Sequence, residues 1–219
     1  MSDQADNVLK ASNRNGLMLA LFAAVSTGLI ALVHLITKDK IAEEIEAAMA
    51  RRLNEIVNRT EYDNDVYHDC KLLTDVPLLG PQSEVKIYRM RNAGQNHAVF
   101  LTSVAPDGYA GKIKMVIGIY KDGTLAGVRI TEHQETPGLG DKIEIEKSEW
   151  IEGFRGKSLI IPEDKSWSVK KDGGKFDALT GATITPRAVI KAVKNALLFY
   201  QQNQTTLFDA KNQCSASKS

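Results

Sequence analysis

Lys112-Ile113-Lys114-Met115-Val116-Ile117-Gly118-Ile119-Tyr120-Lys121-Asp122-Gly123-Thr124-Leu125-Ala126-Gly127-Val128-Arg129-Ile130-Thr131 is the stretch that decides the fold. Ile113, Met115, Ile117 and Ile119 fall on one side of a period-2 pattern, as in a strand with one buried face. Asp122-Gly123 between two β-like runs predicts a tight hairpin, because both central positions of a type I′ turn need positive φ. Leu125 to Thr131 is the return strand. The pair is expected in the middle of an antiparallel sheet.

Working outward, Glu84 to Met90 alternates Val85 and Ile87 with Lys86 and Tyr88, and Ala98 to Val104 is rich in branched residues; both read as strands. Glu61 to Gly80 has no clear period and reads as irregular chain or short pieces. Downstream, Glu144 to Phe154 reads as a short helix ending at Gly153 or Gly156, Lys157 to Ile161 as a strand stopped by Pro162, and Trp167 to Lys171 as another strand. Near the C-terminus Val189, Ile190, Val193, Leu197 and Tyr200 recur in steps of three and four, which predicts an amphipathic helix. Thr185 is placed as its N-cap, with Pro186 at the first helical position. Past Gln201 the polar residues suggest a frayed tail. The fold class is therefore α+β, an antiparallel sheet flanked by helices.

One segment stands apart. Leu17 to Ile36 contains no Asp, Glu, Lys or Arg and is interrupted only by Ser26, Thr27, Gly28 and His34. At helical rise it covers roughly 30 Å, the thickness of a hydrocarbon core. A core helix would show a polar face, and a cleaved signal would stop near Ala24-Val25-Ser26, so the run reads as one uncleaved N-terminal transmembrane anchor. Lys10 and Arg14 before it balance Lys38 and Lys40 after it, so loop charge does not choose a side. Ile41, Ile45, Ala48, Leu53 and Ile56 then predict an amphipathic stalk helix. The expected organisation is a tail at 1–16, the anchor at 17–36, the stalk at 37–60, a soluble domain at 61–202 and a C-terminal tail at 203–219.

Across the 219 residues, 28 Lys and Arg stand against 27 Asp and Glu, so a nucleic-acid partner has no whole-chain electrostatic basis. Cys70 and Cys214 belong to no Cys/His cluster, which argues against a metal site. They are either one long-range disulfide or two unrelated thiols.

Two segments stand out: His133-Gln134-Glu135-Thr136-Pro137-Gly138-Leu139-Gly140, which no regular element could absorb, and Asp177-Ala178-Leu179-Thr180-Gly181-Ala182-Thr183, which leads into the last helix. Gly138 and Gly140 permit positive φ and close backbone approach. The second segment has two readings. Thr and Gly can serve only as a tight entry into the last helix, or the turn can be an anion site with the Thr183 hydroxyl beside a helix N-terminus.

Asp177 to Thr183 resembles the flavin-attachment motif of the FMN-binding domain family, Asp-x-x-Ser/Thr-Gly-Ala-Thr, in which the last threonine is joined to FMN through a phosphoester. His133 to Gly140 is similar to a second signature of that family, and Gly108-Tyr109-Ala110-Gly111-Lys112-Ile113 to a third, with Ala110 where Gly is frequent. With the single span, the chain resembles the anchored flavoproteins of Rnf-type ion-translocating electron-transport complexes, which couple electron flow between ferredoxin and NAD to ion movement.

The resemblance implies covalent FMN on Thr183, with Thr180, Gly181 and Ala182 shaping the phosphate turn and Asp177 read by a flavin transferase during maturation. Glu135, Thr136, Gly138, Leu139 and Gly140 would lie against the flavin, Leu139 covering the ring face. It further implies an electron-transfer subunit of a membrane oxidoreductase rather than an independent catalyst. No residue is assigned as catalytic and no metal is implied; His133 reads either as an acid/base group or as a satisfied hydrogen-bonding residue. Implied partners are iron–sulfur and flavin subunits, the transferase and membrane lipid. The implied location is the bacterial inner membrane with the domain on the periplasmic side. The alternatives are the related flavin-domain subunit of a sodium-pumping NADH:quinone oxidoreductase and a tethered non-redox module that binds a phosphate-bearing ligand.

Overall fold

The computed structural model describes residues 2–161, 164–209 and 211–214. The chain divides into two compact units, Met1–Met49 and Ala50–Ser219. Helix α1 runs from Ser2 to Ile56, so no backbone break separates the tail, anchor and stalk residues named above. From Asn13 on it is long and apolar enough to cross a membrane, with a mean hydropathy of 2.3 over its most apolar window. Leu17, Phe22, Ile30 and Ile36 are all exposed. A helix apolar all round has no polar face to turn to water, as a lipid-facing span requires.

The last turn of α1 belongs to the second unit. Leu53, Ile56 and Val57 are buried there. Arg155 donates to the Ile56 carbonyl at 2.9 Å and the Glu55 carbonyl at 3.3 Å, and Arg129 donates to the Glu55 carbonyl at 3.3 Å. Two guanidinium groups thus satisfy carbonyls that a helix C-terminus leaves open and complement its dipole. Arg129 is itself buried and forms ion pairs with Glu55 and Glu152.

The domain is built on a five-stranded antiparallel meander, β1 (Cys70–Leu73), β2 (Val85–Asn92), β3 (Gln95–Ala105), β4 (Ile113–Tyr120) and β5 (Leu125–Glu132), with strand order equal to chain order. Ile113, Met115, Ile117 and Ile119 do share one buried face, together with Val85, Ile87, Val99 and Leu101. Helix α2 (Ile184–Asp209) covers that face with Val189, Val193, Ala196, Leu197 and Tyr200. On the opposite face a Cβ at Gly118 would lie 2.6 Å from Ile56 and 2.7 Å from Phe100. Glycine in the middle of β4 therefore admits the end of α1 against the sheet.

Several expectations are corrected. The hairpin is not at the centre of the sheet: β4 is interior but β5 is an edge. Its turn is not type I′, because Gly123 has φ +87° while Asp122 keeps negative φ. Gly123 N–H donates to the Tyr120 carbonyl and Tyr120 N–H to the Thr124 carbonyl, each at 2.9 Å. This is a longer connection with glycine at the left-handed position. Of the two readings of Glu61 to Gly80, short pieces is the one found: it contains β1, four residues long and too short to show a period, and a 3-10 turn at Pro77–Leu79.

Neither Lys157 to Ile161 nor Trp167 to Lys171 is a strand. The first makes one pairing with β5, Leu125 N–H to the Lys157 carbonyl at 2.8 Å, and the second forms a single bridge, Val169 to Phe176, beside a 3-10 turn at Lys170–Asp172. Pro162 lies outside the described residues. The helix expected over Glu144 to Phe154 reduces to a 3-10 segment, Glu149–Phe154, capped by Ser148. Helix α2 does not fray at Gln201; it continues to Asp209 because Leu207 and Phe208 are buried. Beyond it, Gln213 N–H donates to the Cys70 carbonyl at 2.9 Å and Cys70 N–H to Asn212 Oδ1 at 3.0 Å. A disulfide joins Cys70 to Cys214 across 144 positions, which resolves the two readings of these cysteines. Residues 215–219 of the expected tail lie outside the described residues.

Candidate functional site

Three connecting segments converge beside the start of α2: the Gly108–Gly111 loop between β3 and β4, the Glu135–Gly140 loop after β5, and the Leu179–Thr183 turn. They enclose a recess of about 360 Å³ lined by Tyr109, Glu135, Thr136, Leu139, Gly140 and Gly181 through Thr185. That volume is in the usual range for a small-molecule or cofactor site, about 300–1,000 Å³.

Glu135 holds the segments together. It is only 4% exposed. Its Oε1 accepts the Ala110 N–H at 3.0 Å and its Oε2 accepts the Thr185 hydroxyl. A Cβ at Gly140 would lie 2.9 Å from Glu135 Oε2 and 3.0 Å from Thr185 Oγ1, so only glycine leaves room for this junction. The loop is folded tightly by the Thr136 carbonyl, which accepts the Leu139 N–H at 3.1 Å and the Gly140 N–H at 3.0 Å. Gly138 supplies the positive φ, +76°, that this turn requires.

The Thr-Gly-Ala-Thr segment is a turn closed by Ala182 N–H to the Leu179 carbonyl at 3.1 Å, with Gly181 at φ +82°. A Cβ at Gly181 would lie 2.7 Å from Leu139 Cδ2. Leu139 thus packs against the turn while staying 41% exposed. Thr183 is exposed and immediately precedes the first residue of α2, so the expected N-cap position shifts: Thr185 lies inside the first turn, buried and bonded to Glu135. The Thr183 hydroxyl stands where unpaired helix N–H groups favour an anion.

Of the site residues expected from the sequence, Glu135, Thr136, Leu139, Gly140, Gly181, Ala182 and Thr183 line one recess. Thr180 faces a neighbouring recess that also touches Gly181 and Thr183. Gly138 and Asp177 are in neither wall. Asp177 is exposed, its carboxylate paired with Lys170 at 2.5 Å and its carbonyl accepting Trp150 Nε1–H at 2.7 Å. His133 Nδ1 accepts the Glu135 N–H at 3.0 Å while Nε2 meets Glu144 Oε1 at 2.5 Å. Both ring nitrogens are engaged, with the proton on Nε2. Sequence reasoning missed Tyr109, Ile184 and Thr185 as lining residues. Tyr109 falls inside the third matched signature, whereas the two helix residues carried no signal, since helix position and not spacing aims them.

The recess suits a flavin ring in size and in its apolar walls at Leu139, Ala182 and Ile184, with Thr183 in its wall beside the Gly181 turn. The FMN-binding domain family matches residues 108–198, and the RnfG N-terminal region matches residues 1–56. The chain is 47% identical over 201 residues to the G subunit of the ion-translocating oxidoreductase complex of Pseudoalteromonas atlantica, covering 92% of this chain and 94% of the relative. The corresponding proteins of Shewanella baltica and Vibrio cholerae serotype O1, which carry the same description, are 46% and 43% identical, over 93% and 94% of this chain and 96% and 99% of theirs. Fold, recess and these relatives together make the chain an anchored FMN-binding domain protein. It belongs to the family of G subunits of ion-translocating oxidoreductase complexes.

Proposed function

We propose that this chain is a membrane-anchored electron-transfer subunit of an Rnf-type ion-translocating oxidoreductase complex, carrying FMN as a phosphoester on Thr183. The observation that carries the reading is the exposed Thr183 hydroxyl at the mouth of a recess with apolar walls, within a segment matched by the FMN-binding domain family. When bound, FMN supplies reversible electron transfer. The chain's own residues position it. Gly181 exposes the backbone of the phosphate turn, Leu139 and Tyr109 offer apolar cover, and Glu135 keeps the three walls in register. Electrons pass between other redox subunits of the complex; the chain turns over no substrate alone.

A threonine hydroxyl is a weak nucleophile and needs activation by a base or metal. Among the described residues no side-chain base is hydrogen-bonded to Thr183, which favours attachment by a separate flavin transferase acting on the exposed turn. Asp177, exposed, outside the recess and paired with Lys170, supports a role in that recognition. The Cys70–Cys214 disulfide favours an oxidising compartment, hence the periplasmic side of the inner membrane with α1 as a single-pass anchor in lipid. Covalent attachment suits that side, where no cytoplasmic FMN pool replaces a dissociated flavin.

The test is co-expression with a flavin transferase followed by denaturing electrophoresis and intact mass. The wild type is expected to fluoresce and to gain the mass of one FMN phosphoester. Thr183→Val is expected to stay dark with an unmodified mass; flavin retained on that variant would move the attachment elsewhere.

A further inference from the structure

Thr183 stands between two recesses of opposite character. The flavin-sized one has Glu135 as the single charged residue in its wall among the described residues. The other, about 250 Å³, shares Gly181 and Thr183, adds Thr180, and has Lys171 and Arg187 as its charged lining residues. Over residues 170–187, Lys170, Lys171, Lys175 and Arg187 stand against only Asp172 and Asp177. Both acidic groups are already matched, Asp177 by Lys170 and Asp172 by Arg187. The excess charge on this side of Thr183 is therefore positive.

Arg187 is also preoriented. Its Nε and Nη2 donate to the Asp172 carboxylate at 2.7 and 2.8 Å. A guanidinium gripped along one edge presents a fixed second edge, Nη1, to an incoming anion.

We propose that Lys171 and Arg187 form an anion subsite for the phosphate group of FMN, so that the phosphate is drawn to one side of Thr183 and the uncharged ring to the other. The physical reason is a charge gradient across one residue. A phosphate monoester carries roughly −1.5 to −2 charge. Placed in the larger recess it would face the buried Glu135 carboxylate; placed in the smaller one it meets Lys171 and the edge of Arg187 that Asp172 leaves free. The subsite sets the direction in which the flavin lies before and after the ester forms. It rests on the reading of the larger recess as the flavin site, but does not require that the ester exist.

The experiment uses the full-length chain made without a flavin transferase, titrated with FMN and separately with riboflavin, which lacks the phosphate. Flavin fluorescence reports binding. The wild type is expected to bind FMN more tightly than riboflavin, with inorganic phosphate competing against FMN. The double variant Lys171→Gln, Arg187→Gln is expected to lose about tenfold in FMN affinity, as two charge-assisted contacts warrant, and to leave riboflavin unchanged. Equal wild-type affinity for the two flavins, equal losses for both in the double variant, or no measurable binding would each overturn the subsite. Intact mass after transferase treatment judges the Thr183 ester separately.

Discussion

The Thr185 hydroxyl donates its hydrogen to the Glu135 carboxylate across 50 positions of sequence, and both side chains are buried. One bond thereby ties the first turn of α2 to the loop after β5, and the second carboxylate oxygen extends the tie to Ala110. A buried carboxylate is tolerated only when its oxygens find donors.

Thr185→Val keeps the shape and removes the donor. Leaving a buried acceptor without its partner is expected to cost about 1–3 kcal/mol of stability. Urea unfolding should show a lower midpoint with an unchanged slope. Flavin loading should fall as well, since the three walls lose their common anchor. A midpoint equal to that of the wild type would show that the tie carries no stability.

The Cys70–Cys214 disulfide closes most of the domain, holding residues 212–213 against β1 at the sheet edge. Cys214→Ser is expected to cost about 2–4 kcal/mol through the entropy of the unfolded chain. The local consequence is sharper: Cys70 N–H and Leu72 N–H lose stable acceptors in Asn212 and Gln213, and their hydrogen exchange should accelerate more than that of β3 and β4. Uniform acceleration across the sheet would mean that the bridge acts only globally.

Burial pushes the Tyr200 phenol up to about 12, against an unfolded value near 10. Its hydroxyl donates to the Lys121 carbonyl at 3.1 Å, linking α2 to the hairpin turn. The raised group favours the fold only while protonated, so its contribution is complete below about pH 10 and is lost as pH rises toward 12. Tyr62 and Tyr120 are shifted upward too, burial being the main cause in each. Tyr200→Phe should therefore be somewhat less stable at neutral pH and show a shallower loss of stability between pH 10 and 12. A slope equal to that of the wild type would remove Tyr200 as a source of alkaline unfolding.

Much of this fold was legible because neighbours along the chain carry it. Ile113, Met115, Ile117 and Ile119 alternate as their buried face demands, and the spacing from Val189 to Tyr200 places one stripe of α2 on the core. Failures fell where a segment has little local content. Lys157 to Ile161 has the residues of a strand, yet only a single pairing to β5 is available to it. Gln202 to Asp209 is polar in composition, and helical because Leu207 and Phe208 reach the core from it.

The candidate site divides in the same way. Composition and local pattern were sufficient for a helix long and apolar enough to cross a membrane, the antiparallel sheet and the turns at Gly138 and Gly181, since each depends on residue type and near neighbours. Three-dimensional packing alone decided that Glu135 faces inward to bind Ala110 and Thr185, that Asp177 stays outside, that Cys70 meets Cys214, and that Lys171 and Arg187 share a recess with Thr183. These contacts join segments whose separation in sequence carries no periodic signal; they come together only once hydrophobic burial has folded α2 onto the sheet and brought its first turn beside the loops.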